Sequence, residues 1–126
     1  MRGDIMIKRI VVAGCRDYKN YEEVKKYIDS CISDICKEYK LIFISGCCRG
    51  VDALGERYAK ESGYKIERYP AEWKKYGRAA GPIRNEKMAA CADLIICFWD
   101  GKSRGTKTMI EFAKKYNKPV KVKNIV

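Results

Sequence analysis

The sequence predicts an α/β fold, three α/β/α layers around a mostly parallel five-stranded sheet. Three observations carry this. Short apolar runs that read as strands alternate with stretches whose apolar residues recur at helical spacing. The central run, LIFIS at 41–45, is apolar at nearly every position, as expected of a strand covered on both faces. Glycines fall where strands should hand over to helices. A series of this kind implies parallel pairing with right-handed crossovers and helices on both sides of the sheet.

Each element has its own reason. Residues 1–7 read as a lead-in, and the first strand as 9–13, closed by Gly14. Asn20 precedes Glu23 by three residues, a capping-box-like start. Val24, Tyr27, Ile28, Cys31, Ile32, Ile35, Cys36 and Tyr39 then mark one face of a long helix. After 41–45 comes the turn GCCRG, where Asp52 can cap a helix carrying Val51, Leu54, Tyr58 and Ala59 and ending near Gly63. A more polar strand, 65–69, stops at Pro70. Residues 71–81 lack a clean period and read as a shaped loop, and Pro82 suits the first position of a helix running to about Ala92. A buried strand at 94–99, the loop DGKSRGT, a helix at 106–116 and a last strand at 120–125 complete the chain.

At 126 residues the chain reads as one domain, 1–126. A charged fraction of 34% beside 47% hydrophobic residues describes a soluble, folded protein rather than a disordered one. No apolar run approaches the ~20 residues of a membrane span and no secretory signal is evident, so the expected location is the cytoplasm, with no membrane partner. Lysine and arginine number 27 against 16 acidic residues, and the resulting +11 favours anionic partners: nucleotides, nucleic acid or acidic surfaces. Many of these lysines, Lys114, Lys115, Lys118, Lys121 and Lys123 among them, also suit a solvated surface. Histidine is absent and the seven cysteines form no Cys-x-x-Cys pair, which argues against a zinc site and against catalysis that needs an imidazole; no metal and no cofactor are expected. Cys31, Cys36, Cys91 and Cys97 fall in apolar patterns and read as core residues of a reducing compartment.

In such a sheet, ligands bind beyond the carboxyl ends of the strands. The loops there carry Gly14-Cys15-Arg16, Gly46 to Gly50, and Gly101 to Thr106. Free backbone N–H groups at a helix start suit an anion, and Arg49 and Arg84 stand at helix starts where a cation has no local benefit.

GCCRGVDALGERYA, YPAEWKKYGRAAGPIRNEKM and ADLIICFWDGKSRGTKTMIEFAKKYNKPV together resemble the SLOG superfamily of Rossmann-like nucleotide-binding domains, which includes the Smf/DprA and LOG proteins. Within it they are most similar to the YspA/cpYpsA-related SLOG family of small bacterial and phage proteins, over about residues 10–122. The resemblance implies ligand contacts at Gly14 and Arg16; at Gly46, Arg49, Gly50 and Asp52; at Gly81, Arg84 and Asn85; and at Gly101, Arg104, Gly105 and Thr106. It also admits a homo-oligomer. Glycines would let the backbone approach a ligand, and guanidinium forks suit phosphate oxygens. Other roles stay open for some of these residues. Asp52 is equally an N-cap, Asn85 a brace, and Arg84 a surface partner for Glu86 or Glu72. Trp99, at a strand end, is the preferred stacking residue for a base, with a core role as its alternative. Trp73 and Tyr76 read more readily as cover for a core edge.

The LOG proteins hydrolyse the glycosidic bond of nucleoside monophosphates, using an arginine and an acid shortly after Pro-Gly-Gly-x-Gly-Thr. Arg84 is a counterpart of that arginine, but Pro-Gly-Gly is missing and the acid positions hold Thr108 and Met109. Glu111 lies about one helical turn, ~5 Å, further on, and Asp100 or Asp17 would have to substitute. A misplaced carboxylate is serious for an oxocarbenium-like transition state. Three functions follow in order. The first is binding of a nucleotide or nucleotide-derived small molecule, for sensing or sequestration. The second is a phosphoribohydrolase with Arg84, Glu111 and Asp100 as catalytic candidates. The third is DprA-like nucleic-acid binding, which no recognisable DNA-reading motif supports.

Overall fold

The computed structural model describes residues 6–125. Its elements run β1 (Ile7–Gly14), α1 (Tyr21–Ile32), β2 (Lys40–Ser45), α2 (Val51–Ser62), β3 (Lys65–Arg68), α3 (Trp73–Tyr76), α4 (Ala80–Cys91), β4 (Leu94–Trp99), α5 (Arg104–Lys115) and β5 (Val120–Asn124). Ile7 already opens β1, so the expected lead-in shortens to Met6 and to residues 1–5, which lie outside the described part.

The five strands form one sheet in the order β3-β2-β1-β4-β5, and every neighbouring pair is parallel. The expected Rossmann-like α/β/α architecture is therefore present, with no antiparallel strand among the described residues. Winding proceeds outward from β1 through β2 to β3, then returns to place β4 against the other side of β1. The switch point lies between β1 and β4.

Strand alternation divides the core. Ile10 and Val12 of β1, Leu41 and Phe43 of β2, and Ile96 and Phe98 of β4 pack against Val24 and Ile28 of α1 and Val51 and Tyr58 of α2. On the other face, Val11, Ala13, Ile44, Ile95 and Cys97 pack against Met88 and Ala89 of α4 and Met109 and Ala113 of α5. Cys97 is fully buried, whereas Cys31, Cys36 and Cys91 are only half-buried. All seven thiols are unpaired.

Three boundaries depart from expectation. Helix α1 ends at Ile32, not near Tyr39, although Ile35, Cys36 and Tyr39 still pack on the core. The chain continues in successive turns, with Ile35 N and Cys36 N both donating to Ile32 O at 3.1 and 2.9 Å, and Glu38 N and Tyr39 N both to Ile35 O at 3.2 and 3.0 Å. Such mixed i−3 and i−4 bonds keep a near-helical period without a continuous α-helix. Residues 71–81 are not an open loop: α3 and a 3₁₀ turn at Gly77–Ala79 run into α4. Pro82 is accordingly the third residue of α4, in the first turn, where its missing N–H costs no intrahelical hydrogen bond. The Asn20 cap is present, its side chain accepting from Glu23 N at 3.1 Å.

Candidate functional site

A cleft of about 330 Å³ opens at the carboxyl ends of β1 and β4, at the switch point of the sheet. Ala13 and Gly14 end β1 beneath it. The β1–α1 loop supplies Cys15, Arg16 and Asp17, and the β2–α2 loop supplies Cys48 and Arg49. Asp52 stands on α2, and Arg84, Asn85 and Met88 come from α4. Asp100 and Ser103 of the β4–α5 loop, with Gly105 and Thr106 of α5, close the far side.

A second cavity, about 420 Å³, adjoins the first. It shares Arg16, Cys48, Arg49 and Arg84 with it and adds Gly46, Cys47, Pro70, Ala71 and Trp73. The two are chambers of one groove, with the shared arginines at their junction.

Arg84 is buried, only 8% exposed. Nη1 donates to the Gly46 carbonyl and, at 3.5 Å, to the Tyr69 carbonyl, while Nε donates to Asn85 Oδ1 at 2.8 Å. Asn85 Nδ2 in turn donates to the Gly105 carbonyl at 3.3 Å. These bonds strap the end of β2 to the start of α5 through α4. The surface pairing of Arg84 with Glu86 or Glu72 is not formed. Glu86 instead accepts from Lys115 and Tyr116, because Arg84 turns inward to carbonyls that would otherwise lack donors.

Asp52 is not the N-cap of α2. Gly50 holds that position, and Asp52, the second helical residue, is 7% exposed. Its Oδ2 accepts from Cys48 N at 3.3 Å, fixing the loop above the helix. Burial pushes its carboxyl up from the usual 3.8 to about 6, against the lowering effects of the Cys48 N–H and the Arg84 charge.

Asp100 faces the cleft, but its Oδ1 accepts from Lys102 N and Ser103 N, both at 2.8 Å. The Ser103 and Lys102 amides hold its pKa below the usual value. Ser103 Oγ and Thr106 Oγ1 lie 3.2 Å apart at the start of α5, whose first turn carries no acidic residue. Arg49 reaches Asp17 at 3.5 Å with both side chains largely exposed, a pair worth little.

The structure thus gathers Gly14, Arg16, Arg49, Asp52, Arg84, Asn85, Gly105 and Thr106 in the first chamber and Gly46 in the second. Gly50, Gly81, Trp99, Gly101, Arg104 and Glu111 line neither. Close backbone approach does explain two of the glycines, but the approach is internal. A Cβ on Gly50 would stand 2.3 Å from Cys15 O, and one on Gly14 would stand 2.5 Å from Phe98 O. Gly101 and Arg104 are exposed beside the mouth. The Trp99 indole N–H donates to Ser103 O at 3.0 Å, which commits that ring to bracing the β4–α5 loop. Glu111 is exposed down α5, away from the cleft. Sequence reasoning missed Cys15, Cys48, Ser103 and Met88. Only the adjacency of Cys15, Cys48 and Ser103 to the glycine loops pointed to them, and nothing in the sequence pointed to Met88.

Comparison with known proteins decides the family. The model of the YspA/cpYpsA-related SLOG family matches residues 8–76, more than half of the chain. This chain belongs to that SLOG family. It is also 30% identical over 121 residues to the Gene 61 protein of Mycobacterium phage D29, covering 90% of this chain and 94% of that one. Among solved structures, this SLOG chain superposes on DNA processing protein A (DprA) of Streptococcus pneumoniae with a TM-score of 0.67 and 20% identity, over 93% of its own length. It matches the structural-genomics target TM1055 with a TM-score of 0.64 and 20% identity, over 91% of its own length and 72% of the target's. DprA of Helicobacter pylori, described for its single-stranded DNA binding, gives 0.64 and 20% over 91% of this chain. The chain spans 50% of the first DprA and 64% of the second. At this identity the three structures share the fold with it.

Proposed function

We propose that this SLOG domain binds a nucleotide or nucleotide-derived small molecule in the groove over β1 and β4, to sense or sequester it. One observation carries the reading: a groove at the switch point where two exposed arginines, Arg16 and Arg49, face the start of α5. Phosphate oxygens there would meet guanidinium donors, free N–H groups and the Thr106 hydroxyl. Family membership supports the same class of ligand. We assign the protein to the cytoplasm, where nucleotides are held and unpaired thiols persist.

Glycosidic cleavage is not part of the proposal. Glu111 is remote from the groove, and Asp100 spends an oxygen on two backbone amides. A second reading, a single-stranded nucleic acid lying along the groove, is supported by the net charge of +11 and by the single-stranded DNA binding for which the Helicobacter pylori DprA is described.

A thermal-shift screen across mono-, di- and cyclic nucleotides and ADP-ribose tests the first reading, because a ligand of the native state raises the melting temperature. No response to any of them would refute it. Anisotropy with a labelled single-stranded oligonucleotide tests the second. Tight binding that falls steeply with salt, together with silence toward small nucleotides, would put the second reading first.

A further inference from the structure

The second chamber differs in character from the first. The first is bounded by polar groups: Arg16, Asp52, Asp100 and the start of α5. The second has a wall of Pro70, Ala71 and Trp73. Trp73 is 53% exposed, and α3, which carries it, buries none of its residues. Its ring lies over Gly81, where a Cβ would stand 3.6 Å away. A large aromatic face left in water beside a cationic junction is an apolar surface without a partner in the fold. Trp99 does not serve in its place, since it lines neither chamber.

We propose that the second chamber is a nucleobase subsite with Trp73 as its stacking platform. The ligand crosses the groove, with its phosphate beside Arg16 and the start of α5 and its base against Trp73. This deepens, and rests on, the reading of the groove as a nucleotide site. Arg16 and Arg49 stand at the junction, where a guanidinium can also cover the free face of the base. Apart from its three arginines, the residues lining the chamber include no charged or amide side chain to read a base edge. Selection there follows ring area, so a purine binds more tightly than a pyrimidine.

The test is calorimetric titration of the whole protein with AMP, UMP and ribose 5-phosphate, repeated with Trp73→Ala and Trp73→Phe. Base stacking sets the expected loss for Trp73→Ala at about tenfold in AMP affinity. UMP should lose less and ribose 5-phosphate nothing, with Trp73→Phe restoring most of the AMP affinity. AMP should also quench tryptophan emission in the native protein but not in Trp73→Phe. Equal affinity of the native protein for AMP and ribose 5-phosphate would overturn the base subsite while leaving the nucleotide site standing. So would an AMP affinity indifferent to Trp73→Ala. If none of the three probes binds the native protein, the site reading fails first and this inference with it. Because Trp73 is exposed, its variants should melt with the native protein, and a Trp73→Ala variant that unfolds early would refute the stacking role in favour of a structural one.

Discussion

Arg84, on α4, donates its Nη1 to the main-chain carbonyl of Gly46 just beyond the end of β2. One side chain thereby joins the helix layer on one face of the sheet to the loop that leads into the helix layer on the other. The bond explains why a cation near the start of α4 is tolerated: the charge is directed at carbonyl oxygens instead of at the helix end.

Arg84→Ala should therefore cost stability as well as binding. It leaves the buried Gly46 carbonyl and the half-buried Tyr69 carbonyl without this donor, a loss of about 2–3 kcal/mol. Urea denaturation without ligand reads this directly. A native midpoint for the variant would reassign Arg84 to ligand contact alone, as its position near a helix start suggests from sequence.

Arg16→Ala should behave in the opposite way. The side chain is exposed and makes no ion pair among those described, so the unfolding midpoint should stay put. Loss of a charge-assisted contact to a phosphate should weaken nucleotide binding by about 1.5–3 kcal/mol. Titration of both proteins with one nucleotide found in the screen measures it.

Asp52 makes stability depend on pH with a definite sign. Its folded pKa of about 6 exceeds the ordinary 3.8, so between these values the native state holds the proton more tightly than the unfolded chain. The stability this provides is present below about pH 4 and is lost as pH rises through 6, amounting to about 3 kcal/mol. Glu67 and Glu86, lowered by Arg9 and Lys115, act in the opposite sense. The comparison must then be made with Asp52→Asn, which keeps an acceptor for Cys48 N. The variant should gain on the native protein between pH 4.5 and 7.5, as followed by denaturation midpoints. A constant difference across that range would refute the assignment.

Two glycines with positive φ should separate strain from crowding. Gly50 has φ +77° and its missing side chain faces the Cys15 and Arg16 backbone; Gly101 has φ +82° but open space around it. Gly101→Ala should cost about 1–2 kcal/mol, the conformational penalty alone. Gly50→Ala should cost clearly more, because two backbone segments must part. Comparable midpoints for the two variants would contradict the close approach of the loops.

Incubation with nucleoside monophosphates should release no free base. Glu111→Gln should leave binding unchanged, since that residue is exposed away from the groove. Chromatography for the four bases checks the first expectation. Release abolished by Asp100→Asn would restore the hydrolase reading.

Strand order aside, the architecture was legible because periodicity reports burial directly. Val24, Ile28 and Ile32 repeat as a helix face must, and Leu41 to Ile44 are apolar as a doubly covered strand must be. The site was legible as far as loops adjoining strand ends go, which is why Arg16, Arg49, Asp52, Gly105 and Thr106 meet there. What failed was long-range. Nothing near Arg84 in sequence indicates carbonyls 15 and 38 residues away. The Trp99 indole finds Ser103 only because the β4–α5 loop folds back under it, and Trp73 is left free because α3 lies on α4 and not in the core. Turns bonded at i−3 and i−4 concealed the end of α1 behind an unbroken apolar period.

Pairing of β1 with β4 joins Ile10 to Leu94, residues 84 positions apart. A chain stopped after α3 would contain both exposed arginines and the tryptophan, yet only one bank of the groove. The opposite bank arrives with α4, β4 and α5, when this longest of the sheet's closures is made. On the proposed reading, recognition is consequently a property of the closed chain, and a ligand seated between β1 and α5 would hold shut the seam that created its own binding place.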